Sequence, residues 1–157
     1  SFHRAVLQGM KSRLKLHAYV FRGYAARIMS GDDYYKRSME MLRAEVRADL
    51  FLPDRPIRTK DRSDASTYYG PGSKCVNSLV SDGCIIEGEV EDSIIFRGVR
   101  VEKGAKVRGC IVMQDTVIRA GATLKYAIAD KNVTITENRM LMGHSNYPLA
   151  ISKFSIV

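Results

Sequence analysis

The chain has 157 residues, 45% hydrophobic and 27% charged, with a formal net charge of +8. That fits one globular domain with a small appended element, and it excludes collagenous and disordered classes. The basic balance suits anionic partners such as phosphorylated small molecules. Nucleic acid is disfavoured, because Trp is absent and the Tyr and Phe residues do not interleave with Lys and Arg. No stretch is long and apolar enough to cross a membrane, and no signal peptide is visible. Cys75, Cys84 and Cys110 match no zinc spacing and lie beside or within aliphatic stretches. They read as small core hydrophobes in a protein of the reducing cytoplasm, and no metal is expected on them.

The chain opens in mid-pattern, which reads as an excised piece of a longer protein. In residues 1–15, Ala5, Val6, Met10 and Leu14 recur at helical spacing, with Gly9 weakening the pattern. Residues 14–22 then alternate apolar and mixed positions, which predicts a strand. Gly31-Asp32-Asp33 supplies an N-cap and first-turn acids for a helix. Tyr35, Met39, Leu42, Val46 and Leu50 fall on one stripe of it, and Pro53 and Pro56 end it. The predicted division is a short α/β remnant over 1–52, an extended linker over 53–72 and a second domain over 73–157. The linker contains the polar run Lys60 to Thr67.

From residue 76 the texture changes. A shift of 17 residues overlays the sequence on itself. Val90, Val107 and Leu124 fall in register, as do Ile94, Ile111 and Ile128, and Val101, Ile118 and Ile135. Ser78-Leu79-Val80 echoes Ser93-Ile94-Ile95 at a shorter step. Aliphatics recur about every six residues, so three hexads make one turn of a triangular parallel β-helix. Each strand turns one aliphatic inward, Ala105 and Ala122 fit near a corner, and glycine permits the turns. A small antiparallel barrel is the competing reading, but a barrel needs no fixed period. Residues 151–157 alternate and read as a capping strand.

The run Val76-Asn77-Ser78-Leu79-Val80 through Gly83-Cys84-Ile85-Ile86-Glu87-Gly88 resembles the start of the β-helix in the ADP-glucose pyrophosphorylase (glucose-1-phosphate adenylyltransferase) family. Tyr34-Tyr35-Lys36 with Met39 and Leu42 is similar to the helix closing that family's nucleotidyltransferase domain, and Arg55-Pro56-Ile57-Arg58-Thr59 to the linker after it. Met113 to Ile118 and Asn146 to Leu149 are similar to its regulatory branch in bacterial glycogen biosynthesis. The resemblance implies a left-handed β-helix and an oligomer, homomeric or with a catalytic pyrophosphorylase subunit. That partner would use Mg²⁺ to make ADP-glucose and pyrophosphate from ATP and glucose 1-phosphate. Backward alignment from Tyr34-Tyr35 puts Arg27 where active members carry the magnesium-binding Asp, unless the alignment slips locally. A guanidinium there removes a hard oxygen ligand, so a weak or inactive parent subunit is implied. Catalytic residues and cofactor are expected outside this segment.

Arg97, Arg100, Lys103, Lys106, Arg108, Arg119 and Lys125 make the middle coils basic. Arg97, Arg100 and Lys103 are the first candidates for a phosphorylated effector or phosphate, because the family is regulated by such ligands and guanidinium groups grip phosphate bidentately. The plain alternative is a set of solvated corners. His144 admits a second function, a hexapeptide-repeat acyltransferase, although it falls after the clear coils.

Overall fold

The computed structural model describes residues 2–59 and 62–157. Lys60 and Asp61, read as part of the polar linker, lie outside the described residues. His3–Gln8 forms a single wide helical turn. The strand expected over 14–22 does not form, and this stretch has no regular structure and is exposed. A strand needs a neighbour for its N–H and C=O groups, and among the described residues none lies beside it. Its continuation is held instead by Tyr24, whose backbone N–H donates to the Asp49 carboxylate and whose hydroxyl donates to Glu40.

The predicted single helix is two. α1 spans Gly31–Met39 and α2 spans Ala44–Leu50, joined by a 3-10 turn over Glu40–Leu42. The N-cap is Ser30 rather than Gly31: its Oγ accepts the Asp33 N–H at 3.1 Å, and Asp33 accepts the Met29 N–H at 3.2 Å. Arg43 is extended between the helices, and the Arg47 guanidinium donates to the Met41 carbonyl at 2.7 Å. That bond satisfies an acceptor the break would leave bare. The stripe survives the break, with Tyr35 and Val46 buried and Met39, Leu42 and Leu50 half-buried.

The rest is a parallel β-helix. The first coil holds β1 (Tyr68–Tyr69), β2 (Lys74–Val76) and β3 (Leu79–Val80). The second holds β4 (Ile85–Ile86), β5 (Glu89–Glu91) and β6 (Ile94–Ile95). The third holds β7 (Arg100–Val101), β8 (Lys106–Arg108) and β9 (Ile111–Val112). The fourth holds β10 (Val117–Ile118), β11 (Thr123–Lys125) and β12 (Ala127–Ala129). The fifth holds β13 (Thr134–Ile135), β14 (Met140–Met142) and β15 (Leu149–Ile151). Strands stack by position in the coil into three five-stranded faces: β1-β4-β7-β10-β13, β2-β5-β8-β11-β14 and β3-β6-β9-β12-β15. All pairs are parallel, as the repeat predicts and a barrel would not give. The first strand lies inside the stretch 53–72.

The register is the one the repeat implies. Val90 pairs with Val107 and Val107 with Leu124; Val101 pairs with Ile118 and Ile118 with Ile135. These side chains and Ile86, Ile95, Val112 and Ala129 are buried in one core. Ser93 and Thr116 are buried beside them as bridges between coils. Ser93 Oγ donates to the Glu91 carbonyl at 2.7 Å and accepts the Cys110 N–H of the next coil at 3.0 Å. Thr116 Oγ1 donates to the Asp130 carbonyl at 2.9 Å and accepts the Val133 N–H at 3.3 Å. Cys84 and Cys110 are core residues as expected, but Cys75 is exposed. It occupies an inward position in the first coil, where no coil covers it.

The corners turn through left-handed conformations. Glycine supplies some, but Asn77, Asp92, Asp115, Asn132 and Asn138 supply others, with φ between 43° and 57°. Residues 143–148 loop out of the last coil, closed by an antiparallel bridge between His144 and Tyr147. The final segment caps one edge of the last coil, as its alternation suggests: Ile156 pairs in parallel with Thr134, adding one more rung to the first face.

Candidate functional site

The second face carries its charges in cross-strand ladders. Lys106 lies 3.9 Å from Glu89 and Arg108 3.6 Å from Glu91, each acid one coil before its partner. Lys125 sits over the Tyr126 ring at 5.3 Å. These groups line a shallow depression of about 270 Å³ together with Lys74 and Thr123. On the first face, Arg119 Nη1 meets Glu102 at 2.9 Å, and the same carboxylate accepts the Ala120 N–H at 3.0 Å. Three of the seven basic residues singled out in the sequence are therefore paired with acids of the neighbouring coil. Exposed pairs of this kind contribute little to stability, but they remove cations from an anion's reach.

Arg97, Arg100 and Lys103 lie along one coil. Arg97 is half-buried at the corner before β7, Arg100 is exposed at the start of β7, and Lys103 is exposed in the next turn. Successive Cα atoms in this set are at most about 10 Å apart. Among the described residues none of the three has a side-chain partner. They are not gathered into a pocket, yet they leave their charge free.

Arg62, in the polar run before the coils, is a further cation at this corner. Its guanidinium spans Asp64 at 3.0 Å and Asp115 at 3.4 Å. Asp115 sits directly beneath Gly98, the neighbour of Arg97, so Arg62 straps the incoming chain to the Arg97 corner. Only its position before the coils, with Asp64 two residues on, was available as a signal.

Arg27 is exposed in the irregular segment ahead of α1. Among the described residues no three His, Cys, Asp or Glu side chains come together as a metal would require. His144 is exposed in the 143–148 loop, and its Nδ1 accepts the Asn146 N–H at 3.2 Å.

The third face differs from the other two. Its outward column is Leu79, Ile94, Ile111 and Ile128. Ile111 has no exposed surface, although it points away from the coil interior. α1 reaches the adjoining corner, where the Tyr35 hydroxyl donates to the Gly109 carbonyl at 2.6 Å. Burial pushes the Tyr35 phenol up to about 12 and the Cys110 thiol beside it to about 12. Both therefore stay protonated and uncharged at neutral pH.

Residues 65–146 match the family described as GlmU-like, C-terminal hexapeptide. The chain belongs to this hexapeptide-repeat family. Within it, the chain is similar to the glycogen biosynthesis protein GlgD of Bacillus subtilis, with 42% identity over 142 residues, 90% of this chain and 41% of that one. It is 31% identical over 137 residues to the glucose-1-phosphate adenylyltransferase of Acetivibrio thermocellus, covering 87% of this chain and 32% of that one. The enzyme of the same name from Bacillus anthracis is 30% identical over 132 residues, 84% and 35%. The likeness to glucose-1-phosphate adenylyltransferases read from residues 76–88 and from the helix is thus found across nearly the whole chain, which spans less than half the length of these relatives. Among the described residues no helix is long and apolar enough to cross a membrane.

Proposed function

We propose that this hexapeptide-repeat chain is the assembly and regulatory region of a glucose-1-phosphate adenylyltransferase-like subunit in glycogen biosynthesis, working in the cytoplasm. It modulates a catalytic partner that makes ADP-glucose and pyrophosphate from ATP and glucose 1-phosphate. The observation that carries this reading is the 42% identity to GlgD over 142 residues, an alignment long enough to take in helices, linker and coils. The Mg²⁺ belongs to the partner. On this chain Arg27 stands at the metal position, where a cation repels a cation.

The unpaired set Arg97, Arg100 and Lys103 supports binding of a phosphorylated effector or phosphate along the third coil. Spread along one coil, they suit an anion larger than one phosphate. Both ends of the β-helix leave strand edges without a neighbour among the described residues, which favours assembly with a second β-helix.

Co-expression of the full-length chain, tagged, with the catalytic subunit of the same cell tests the partnership. The reading expects the two to elute together at a fixed ratio. Elution of the tagged chain alone, at concentrations where both are folded, removes the partnership.

A further inference from the structure

One corner of the β-helix stacks Asn77, Asp92, Gly109 and Tyr126, with φ of 43°, 47°, 60° and 50°. Each backbone N–H in this column donates to the coil before: Asp92 to Val76, Gly109 to Glu91 and Tyr126 to Arg108. Two of the four positions adopt the left-handed turn with an Asn or an Asp. The conformation alone therefore does not call for glycine at 109.

Space does call for it. A Cβ on Gly109 would lie 2.7 Å from the Tyr126 ring and 3.4 Å from the Tyr35 hydroxyl. The missing side chain leaves a notch where two tyrosines meet, one from the β-helix and one from α1. Tyr35 is 5% exposed, and its hydroxyl reaches the Gly109 carbonyl at 2.6 Å. Among the described residues no backbone N–H donates to that carbonyl.

We propose that the Gly109 notch and the Tyr35 hydroxyl form a latch that fixes the register of the helix pair on the third face, so that helices and coils move as one body. The remaining contacts across this junction do not set a register. Among the described residues no ion pair joins α1 or α2 to the coils; Arg37–Glu40 and Arg43–Glu45 stay within the helical segment. The apolar column of the third face beside this corner is Leu79, Ile94, Ile111 and Ile128, and apolar burial is non-directional. A hydrogen bond at 2.6 Å into a one-residue notch is directional and breaks if the helix slides.

The experiment is amide hydrogen exchange on the full-length chain and three variants. Tyr35→Phe removes the donor and adds no atom. Gly109→Asn keeps the left-handed turn, as Asn77 does, but fills the notch. Gly104→Asn is the control: its turn has φ of 76° as well, and its Cβ would meet nothing closer than 3.8 Å. The latch predicts that Tyr35→Phe and Gly109→Asn speed exchange across residues 31–50 about tenfold. In Tyr35→Phe exchange in residues 85–118 stays at the wild-type rate, and Gly104→Asn leaves residues 31–50 at theirs. Wild-type protection of residues 31–50 in Tyr35→Phe would overturn it. So would an equal loss in Gly104→Asn, or a loss spread evenly over helices and coils. If Gly109→Asn does not fold, Tyr35→Phe decides.

Discussion

Ser93 and Thr116 are polar residues with no exposed surface, and both are spent on joining one coil to the next. Ser93→Ala leaves the Cys110 N–H buried without its acceptor. The expected cost is about 1–3 kcal/mol, read as a lower midpoint in urea with an unchanged slope. Tyr35 and Cys110 give a pH signature. Folding raises the Tyr35 phenol from 10.0 to about 12 and the Cys110 thiol from 9.0 to about 12. The folded state holds these protons longer than the unfolded one. Their contribution is therefore complete below pH 9 and is lost as pH climbs toward 12. Stability should fall over that interval, and less steeply in Tyr35→Phe, where only the thiol remains to titrate. An equal slope in both proteins would remove Tyr35 from the account. None of these bridges was legible beforehand: Ser93 and Thr116 look like ordinary surface residues until the coil pitch puts a neighbour's N–H within reach.

The coils were readable because their period is local. Each hexad places one aliphatic inward whatever lies far away in sequence, so the register of Val90, Val107 and Leu124 followed from counting. The segment at 14–22 has the alternation of a strand but not the neighbour a strand requires, and alternation alone does not supply one. The helix break at Arg43 has no Gly or Pro to announce it. The covered face did leave a mark. On the second face one aliphatic stands between charges, as in Glu89-Val90-Glu91 and Lys106-Val107-Arg108. On the third, Leu79-Val80, Ile94-Ile95 and Ile111-Val112 are apolar on both sides in successive coils, whereas on the first the pairs Ile85-Ile86 and Val117-Ile118 are separated by Arg100-Val101. Ile111→Ala should cost about 2–5 kcal/mol, like an interior residue, although its side chain points out of the coil. Limited proteolysis should then cut first within residues 31–58. A cost below about 0.5 kcal/mol, the surface value, would mean that the helices do not rest on this face.

Across the molecule the net charge of +8 is not spread evenly. Acids from neighbouring coils pair with Lys106, Arg108 and Arg119, while Arg97, Arg100 and Lys103 stand unpaired on the third coil. Composition announced the excess; only the stacking of coils sorted paired cations from free ones, because partners 17 residues apart become neighbours there. Replacing these three by alanine should weaken phosphate or sugar-phosphate binding by about tenfold or more, measured by calorimetry on the full-length chain. Unchanged affinity would reduce them to solvated corners. Pyrophosphate release from ATP and glucose 1-phosphate is the direct measurement of what the parent chain does to a partner, made with the full-length chain alone, with the catalytic subunit alone, and with the two combined. The account predicts that this chain alone is silent, and that its addition changes the partner's rate or its response to effector. Turnover by this chain alone at a rate near the partner's would contradict it.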